Sequence, residues 1–213
     1  YGSDATAVIA VPGTGYHFVD WSDGLTENPR TDTNVKAVIN VTANFAIDQI
    51  TIYGYLTEPD AETAIEGILI ETDTTAISDV TDSKGYYELT VDYGWSGTVE
   101  PNTVGYIFDP NKLSYSNVVA DMTGQNYIGT ILTYAISGYI ENSNTVPIEG
   151  VLVDANDGGI SDTTDPNGYY ELTVDHGWSG TVTPGKIHFT FVNPSNTYSS
   201  VQGDLIGQNY AAT

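Results

Sequence analysis

Residues 77–92 read ISDVTDSKGYYELTVD, and residues 160–175 read ISDTTDPNGYYELTVD. Within each, the run from the second tyrosine of the pair alternates. Tyr87, Leu89 and Val91 fall on one face, and Glu88, Thr90 and Asp92 on the other. Tyr170, Leu172 and Val174 repeat the pattern. A period of two is the signature of a half-buried β-strand. Just ahead of each strand lies a turn, Asp82-Ser-Lys-Gly85 or Asp165-Pro-Asn-Gly168. The Asp carboxylate can accept backbone N–H groups ahead of it, and the glycine supplies the positive φ that closes the turn.

Working outward, Gly67–Tyr127 aligns without a gap on Gly150–Tyr210 at a constant offset of 83 residues, with about half the positions identical. Such self-similarity marks a tandem repeat. Short strands are expected at the start of each copy (Thr51–Leu56, Ala135–Ile140), at Ile68–Ile70 and Val151–Val153, and from Thr98 and Thr181. Others are expected at Tyr106–Phe108 and Phe189–Phe191, and at the closing GQNY blocks. Strands punctuated every eight to twelve residues by turns predict a β-sandwich. No stretch holds a helical period.

Residues 1–47 do not match the repeat. Thr6–Val11 alternates weakly, PGTGYHFVDWSDG sets a strand between two turns, and Ala37–Phe45 alternates cleanly. The expected fold class is therefore all-β: a small module over 1–47, then sandwiches over 48–132 and 133–213, with short linkers at Ala46–Gln49 and Ile131–Tyr134. Linkers this short leave little freedom.

The charge balance excludes several partners. Five Lys and Arg stand against 28 Asp and Glu, for a net charge of −23. Nucleic-acid binding requires clustered basic side chains, so it is not expected, and neither is attraction to an anionic membrane. No apolar run approaches a membrane span, so no membrane insertion is expected in this segment. The absence of cysteine removes disulfides, thiolate nucleophiles and cysteine-based zinc sites.

Two resemblances add to this reading. The pattern PIEGVLV … TDPNGYYELTV, with its counterpart in the first copy, resembles the prealbumin-like seven-stranded sandwiches known as carboxypeptidase-regulatory-like and collagen-adhesin B-type domains. The run GYHFVDWSDG … NPR … VTANF over Gly15–Phe45 resembles the divergent internalin B-repeat, a small β-grasp-like module of bacterial surface proteins. Together they imply an extracellular, cell-surface segment of a bacterial or archaeal protein. Some sandwich relatives carry a Lys–Asn isopeptide bond between first and last strands. Neither opening strand here has a lysine to meet Asn126 or Asn209, so no such bond is expected. B-repeats begin with strands ahead of the position of Tyr1. The module is thus expected to be incomplete at its start, or to take a strand from a neighbour through its open edge.

Candidate sites are few. Glu71, Asp73, Asp79 and Asp82 in the first copy, and Asp154, Asn156, Asp157, Asp162 and Asp165 in the second, supply the oxygen chemistry that Ca²⁺ prefers. The plainer reading makes them turn-capping carboxylates, and the loop lacks the bidentate Glu of an EF-hand. Trp21, Trp95 and Trp178 are candidate ligand or interface aromatics, either stacking on polysaccharide or covering core edges. Asn40-Val-Thr42 is a glycosylation sequon. His17, His176 and His188 share no metal-ligand spacing, and Ser96 and Ser179 of GWSG are not nucleophile elbows. No catalytic constellation emerges. The expected function is non-catalytic: a stalk or filament-forming subunit whose partners are copies of itself or neighbouring domains. The alternative is an adhesin or carbohydrate-binding accessory region.

Overall fold

The structure, a computed structural model, describes residues 2–74, 77–156 and 159–213. Among these it contains seventeen β-strands and no helix, hence none long and apolar enough to cross a membrane. The chain forms two compact units, residues 1–103 with 108–129, and residues 104–107 with 130–213.

Unit 1 opens with β1 (Tyr16–Trp21) and β2 (Ala43–Ile47), an antiparallel pair that forms a sheet of its own. The strand expected over Ala37–Phe45 is formed only from Ala43, because residues 36–42 meet no partner strand there. Alternation marks two faces, but pairing makes a strand. Val38 is consequently 85 % exposed. Thr6–Val11 likewise forms no strand; its backbone is tied to the 28–32 segment through reciprocal Val8–Arg30 hydrogen bonds. This module buries Ala10, Trp21 and Arg30.

The first sandwich follows after one intervening residue, Asp48. Its strands are β3 (Gln49–Thr57), β4 (Leu69–Thr72), β5 (Ser78–Val80), β6 (Tyr86–Asp92), β7 (Trp95–Asn102), β8 (Tyr106–Asp109), β9 (Leu113–Val118) and β10 (Tyr127–Ile131). They form two four-stranded sheets, ordered β6-β3-β10-β8 and β5-β4-β7-β9. β3 and β6 pair antiparallel over seven registered positions, Gln49 opposite Asp92 through Tyr55 opposite Tyr86. The inward face of that pair is Ile50, Ile52, Leu56, Tyr87, Leu89 and Val91, all buried, facing Ile70 and Val99 of the second sheet. Both opening strands run longer than the sequence suggests.

Unit 2 carries the second sandwich: β11 (Thr133–Asn142), β12 (Leu152–Asp154), β13 (Ser161–Thr163), β14 (Tyr169–Asp175), β15 (Gly180–Gly185), β16 (Asn196–Tyr198) and β17 (Tyr210–Ala212). The sheets are β14-β11-β17 and β13-β12-β15-β16 around a core of Ile136, Ile140, Val153, Tyr170, Leu172 and Val182. The strand expected at Phe189–Phe191 is reduced to a single bridge between Phe191 and Ala212.

The turn that heads β6 and β14 forms as its chemistry dictates. Asp82 Oδ1 accepts the Lys84 and Tyr86 N–H groups, and Asp165 Oδ1 those of Asn167 and Tyr169. Gly85 and Gly168 take φ of +72° and +75°. The Tyr169 N–H holds the Asp165 carboxyl below its ordinary pKa.

Candidate functional site

The acidic side chains are spread along the sandwich edges and engaged with backbone or amide donors. Asp79, on edge strand β5, accepts the Glu88 N–H of β6 at 2.8 Å, and Asp162 accepts the Glu171 N–H at 2.8 Å. Each carboxylate thus crosses from one sheet to the other and occupies an edge donor that would otherwise be free to pair. Glu71 accepts from Asn102 Nδ2, Asp73 from the Thr98 N–H, and Asp154 from the Asn156 N–H. Asn156 donates to Thr183 Oγ1 at 2.9 Å. Asp157 lies outside the described residues. Among the described residues, no three His, Cys, Asp or Glu side chains converge as a metal set would.

The tryptophans lie against scaffold. Trp21 is 5 % exposed, donates Nε1–H to the Glu27 carbonyl at 2.9 Å and packs on Phe18. Trp95 lies on Gly97, where a β-carbon would approach the indole to 2.4 Å, and is 5.8 Å from Tyr115. Trp178 repeats this on Gly180 and Tyr198. Asn40 is exposed, outside any strand.

Each sandwich also presents an exposed tyrosine, Tyr55 in the first and Tyr139 in the second. Tyr55 and Tyr86 meet across β3 and β6 at 5.5 Å between ring centres, and Tyr139 and Tyr169 across β11 and β14 at 5.4 Å. Tyr86 donates its hydroxyl to Glu88, and Tyr169 to Glu171, each at 2.5 Å. The hydrogen bond to Glu88 pushes the Tyr86 pKa up to about 12. A cavity of about 640 Å³ opens beside Tyr55, Asn126 and Ile128.

Two features escape a reading of the sequence. One is Arg30, the chain's single arginine, buried in the first module. Its guanidinium bonds Asp23 and Asp32 at 2.7–3.1 Å and lies over the Trp21 ring at 5.7 Å. These contacts raise the Arg30 pKa and hold Asp23 below its ordinary value. The sole arginine, seven residues past Asp23 and two ahead of Asp32, was the available signal. Next to it, a groove of about 560 Å³ runs between Val8 and the unpaired Val38–Val41 segment.

The other is the seam between first and last strands. β10 runs parallel to β3, and β17 parallel to β11. Ahead of these pairs the backbones of Thr51, Tyr53, Met122 and Gln125 exchange hydrogen bonds, as do those of Ala135, Ser137, Leu205 and Gln208. Side chains extend the seam: Asp121 and Asn126 accept the Thr51 and Tyr55 N–H groups, and Asp204 and Asn209 those of Ala135 and Tyr139, all at 2.8–2.9 Å.

Comparison with known proteins agrees with this architecture. The model of the divergent InlB B-repeat domain matches residues 1–49. The Bacillus anthracis TIE protein is similar in structure, with a TM-score of 0.61 and 9 % identity, over 85 % of this chain and 40 % of that one. Residues 1–49 thus match the B-repeat model, and the two modules that follow have the fold of Ig-like β-sandwiches. At that identity the likeness concerns fold, and the chain spans 40 % of the length of the TIE structure. Weaker likenesses are to a streptococcal ancillary pilin (TM-score 0.36, 9 % identity, 95 % of this chain and 76 % of that one) and to the shaft pilin SpaA of Lactobacillus rhamnosus GG (TM-score 0.29, 11 % identity, 78 % and 97 %). No curated protein matches the chain.

Proposed function

We propose that this chain is a non-catalytic structural segment of a cell-surface protein, a stalk or filament subunit, organised as modules 1–47, 48–132 and 133–213. The observation that carries this reading is the parallel seam of each sandwich. Where first and last strands run parallel and adjacent, the chain enters at one end of the sandwich and leaves at the other. Tension along the chain then slides the two strands past each other, stressing all seam hydrogen bonds at once. An antiparallel terminal pair would open them one by one. Asp121, Asn126, Asp204 and Asn209 add acceptors to the bonds that must fail together. The repetition of this arrangement at a fixed offset suits a protein whose work is to transmit force.

The reading is tested by single-molecule stretching of the chain. Two unfolding events of high force are expected, and Asp121→Ala with Asn126→Ala should lower one while leaving the other intact. Unfolding at the low forces typical of unzipped strands would overturn it.

Two finer readings rest on specific features. Assembly by strand exchange is favoured by the groove beside Val38, which offers an apolar, unpaired backbone segment to a strand from a second copy. Concentration-dependent sedimentation that persists in wild type and is lost on Val38→Lys supports it; a monomer at all concentrations refutes it. Carbohydrate binding is favoured by the exposed Tyr55 and Tyr139 rings, and a pull-down on insoluble polysaccharide, lost in Tyr55→Ala with Tyr139→Ala, decides that reading.

A further inference from the structure

The same three-part contact occurs once in each unit. In unit 1, Gly15 has φ of +77°, and a β-carbon there would lie 2.2 Å from Cδ1 of Tyr93. The Asp48 N–H donates to the Gly15 carbonyl at 2.8 Å, and the Tyr93 N–H donates to the Asp48 carbonyl at 2.8 Å. In unit 2, Gly105 has φ of +90°, and a β-carbon there would lie 2.3 Å from Cδ2 of His176. The Leu132 N–H donates to the Gly105 carbonyl at 2.8 Å, and the His176 N–H to the Leu132 carbonyl at 2.7 Å. A loop glycine, a residue between two strands and an aromatic ring thus make one knot, built twice.

The two loops belong to different folds, one ahead of β1 and one ahead of β8, yet both read G-Y-x-F: Gly15-Tyr-His-Phe18 and Gly105-Tyr-Ile-Phe108. The second sandwich contains a third version, His188-Phe-Thr-Phe191, in the position that Gly105 occupies in the repeat. His188 keeps the left-handed backbone, with φ of +71°. It also carries the β-carbon that the other two loops lack.

We infer that the G-Y-x-F loop is a docking seat for a β module that presents an aromatic ring behind a one-residue linker, and that the residue at the glycine position decides whether the ring enters. Gly15 and Gly105 are open seats, and each is filled. The His188 loop is shut to a ring, since a β-carbon at that position would stand where Tyr93 and His176 place theirs. Tyr and His are interchangeable in the ring role because only a flat face against the glycine is required. The inference builds on the modular reading, but it concerns local contacts and not tension, so stretching experiments and the one below can fail independently.

Hydrogen–deuterium exchange on the full chain tests it. Gly15→His places at the first seat the residue that the third loop already holds at the same φ, so backbone conformation alone does not account for a loss. Exchange at the Asp48 and Tyr93 amides is expected to quicken by about tenfold or more, with β14 unchanged. Tyr93→Ala, which leaves the loop untouched, should do the same and guards against a folding defect in the first variant. Tyr93→His should stay within about twofold of wild type. Wild-type exchange in either disruptive variant, or exchange in Tyr93→His as fast as in Tyr93→Ala, would overturn the inference.

Discussion

The B-repeat and the sandwiches that follow it are held together by opposite means. Each sandwich closes two sheets on an apolar interior in which Ile, Leu, Val and Tyr side chains are fully buried. The B-repeat buries Ala10, Trp21 and the Arg30 guanidinium, whose partners Asp23 and Asp32 stay partly exposed, and leaves Val8, Ile9, Val11 and Val38 in solvent. A dry core is stable by the area it removes from water. A polar cluster depends on every partner remaining in place, because a buried charge without its partner is costly. The B-repeat should therefore lean on its neighbour, and the Tyr93 ring on Gly15 is where it does so.

The largest effect should come from emptying the dry side of this contrast. Leu172 is buried between Tyr170 and Val174 positions in the second core. Leu172→Ala should cost about 2–5 kcal/mol. A urea titration followed by exchange should place the loss in β11–β17 and spare residues 8–35. Equal weakening of both regions would contradict the division drawn above.

Alkali should separate the two regions next. Burial pushes the pKa of Tyr87, Tyr127 and Tyr170 up, and raises Tyr115 and Tyr210 to about 12. A group whose folded pKa lies above its unfolded value favours the folded state fully at pH below the unfolded value, about 10 for tyrosine. That contribution is lost as pH rises through the folded values. The urea midpoint of the sandwiches should be level from neutral to mildly alkaline pH and fall above about 10, with tyrosinate absorbance rising as they unfold. The B-repeat has no buried tyrosine among its described residues, so its Trp21 signal should change only after the first sandwich has opened and never ahead of it.

A smaller step tests the polar side. Arg30→Met keeps the stem volume but strands Asp23 and Asp32 without their donor. The B-repeat should lose protection at Val8 and Arg30 and show red-shifted Trp21 emission, read in a chain carrying Trp95→Phe and Trp178→Phe. Sandwich unfolding should not change. Retained protection at Val8 would mean that the cluster is dispensable.

How far the sequence could be read follows the same contrast. The alternation in Tyr86–Asp92 identified its strand because one face is dry and the other wet, and the Asp82 turn was legible because donor and acceptor lie within four residues. Alternation over Ala37–Thr42 misled, since periodicity carries no record of whether a partner strand is present. The seam acceptors some seventy residues from their donors and the seating of Tyr93 on Gly15 are contacts between distant parts of the chain, and the reach of Asp79 to Glu88, though only nine residues on, joins two different sheets. Local pattern cannot encode them, although the G-Y-x-F echo was present to be found. The acidic loops carried both a capping and a calcium reading, because carboxylates at turns look alike whether they cap backbone or ligate a cation.

The smallest effect sharpens the comparison within the sandwiches. Tyr87 and Tyr170 donate their hydroxyls to the carbonyls of Gln125 and Gln208, at 2.5 and 2.6 Å, on the closing segment of each seam. Tyr87→Phe and Tyr170→Phe keep the ring that fills the core and remove only this donor. Each should cost about 0.5–1.5 kcal/mol, the net worth of one hydrogen bond. The two losses should agree, because the surrounding residues repeat at the same offset. Thermal unfolding of the single and double variants checks both points. Additive losses would show that the two seams act independently. A Tyr87 effect well above its Tyr170 counterpart would mean that the first sandwich, which also carries the B-repeat on its Tyr93 ring, draws on that contact for its own stability.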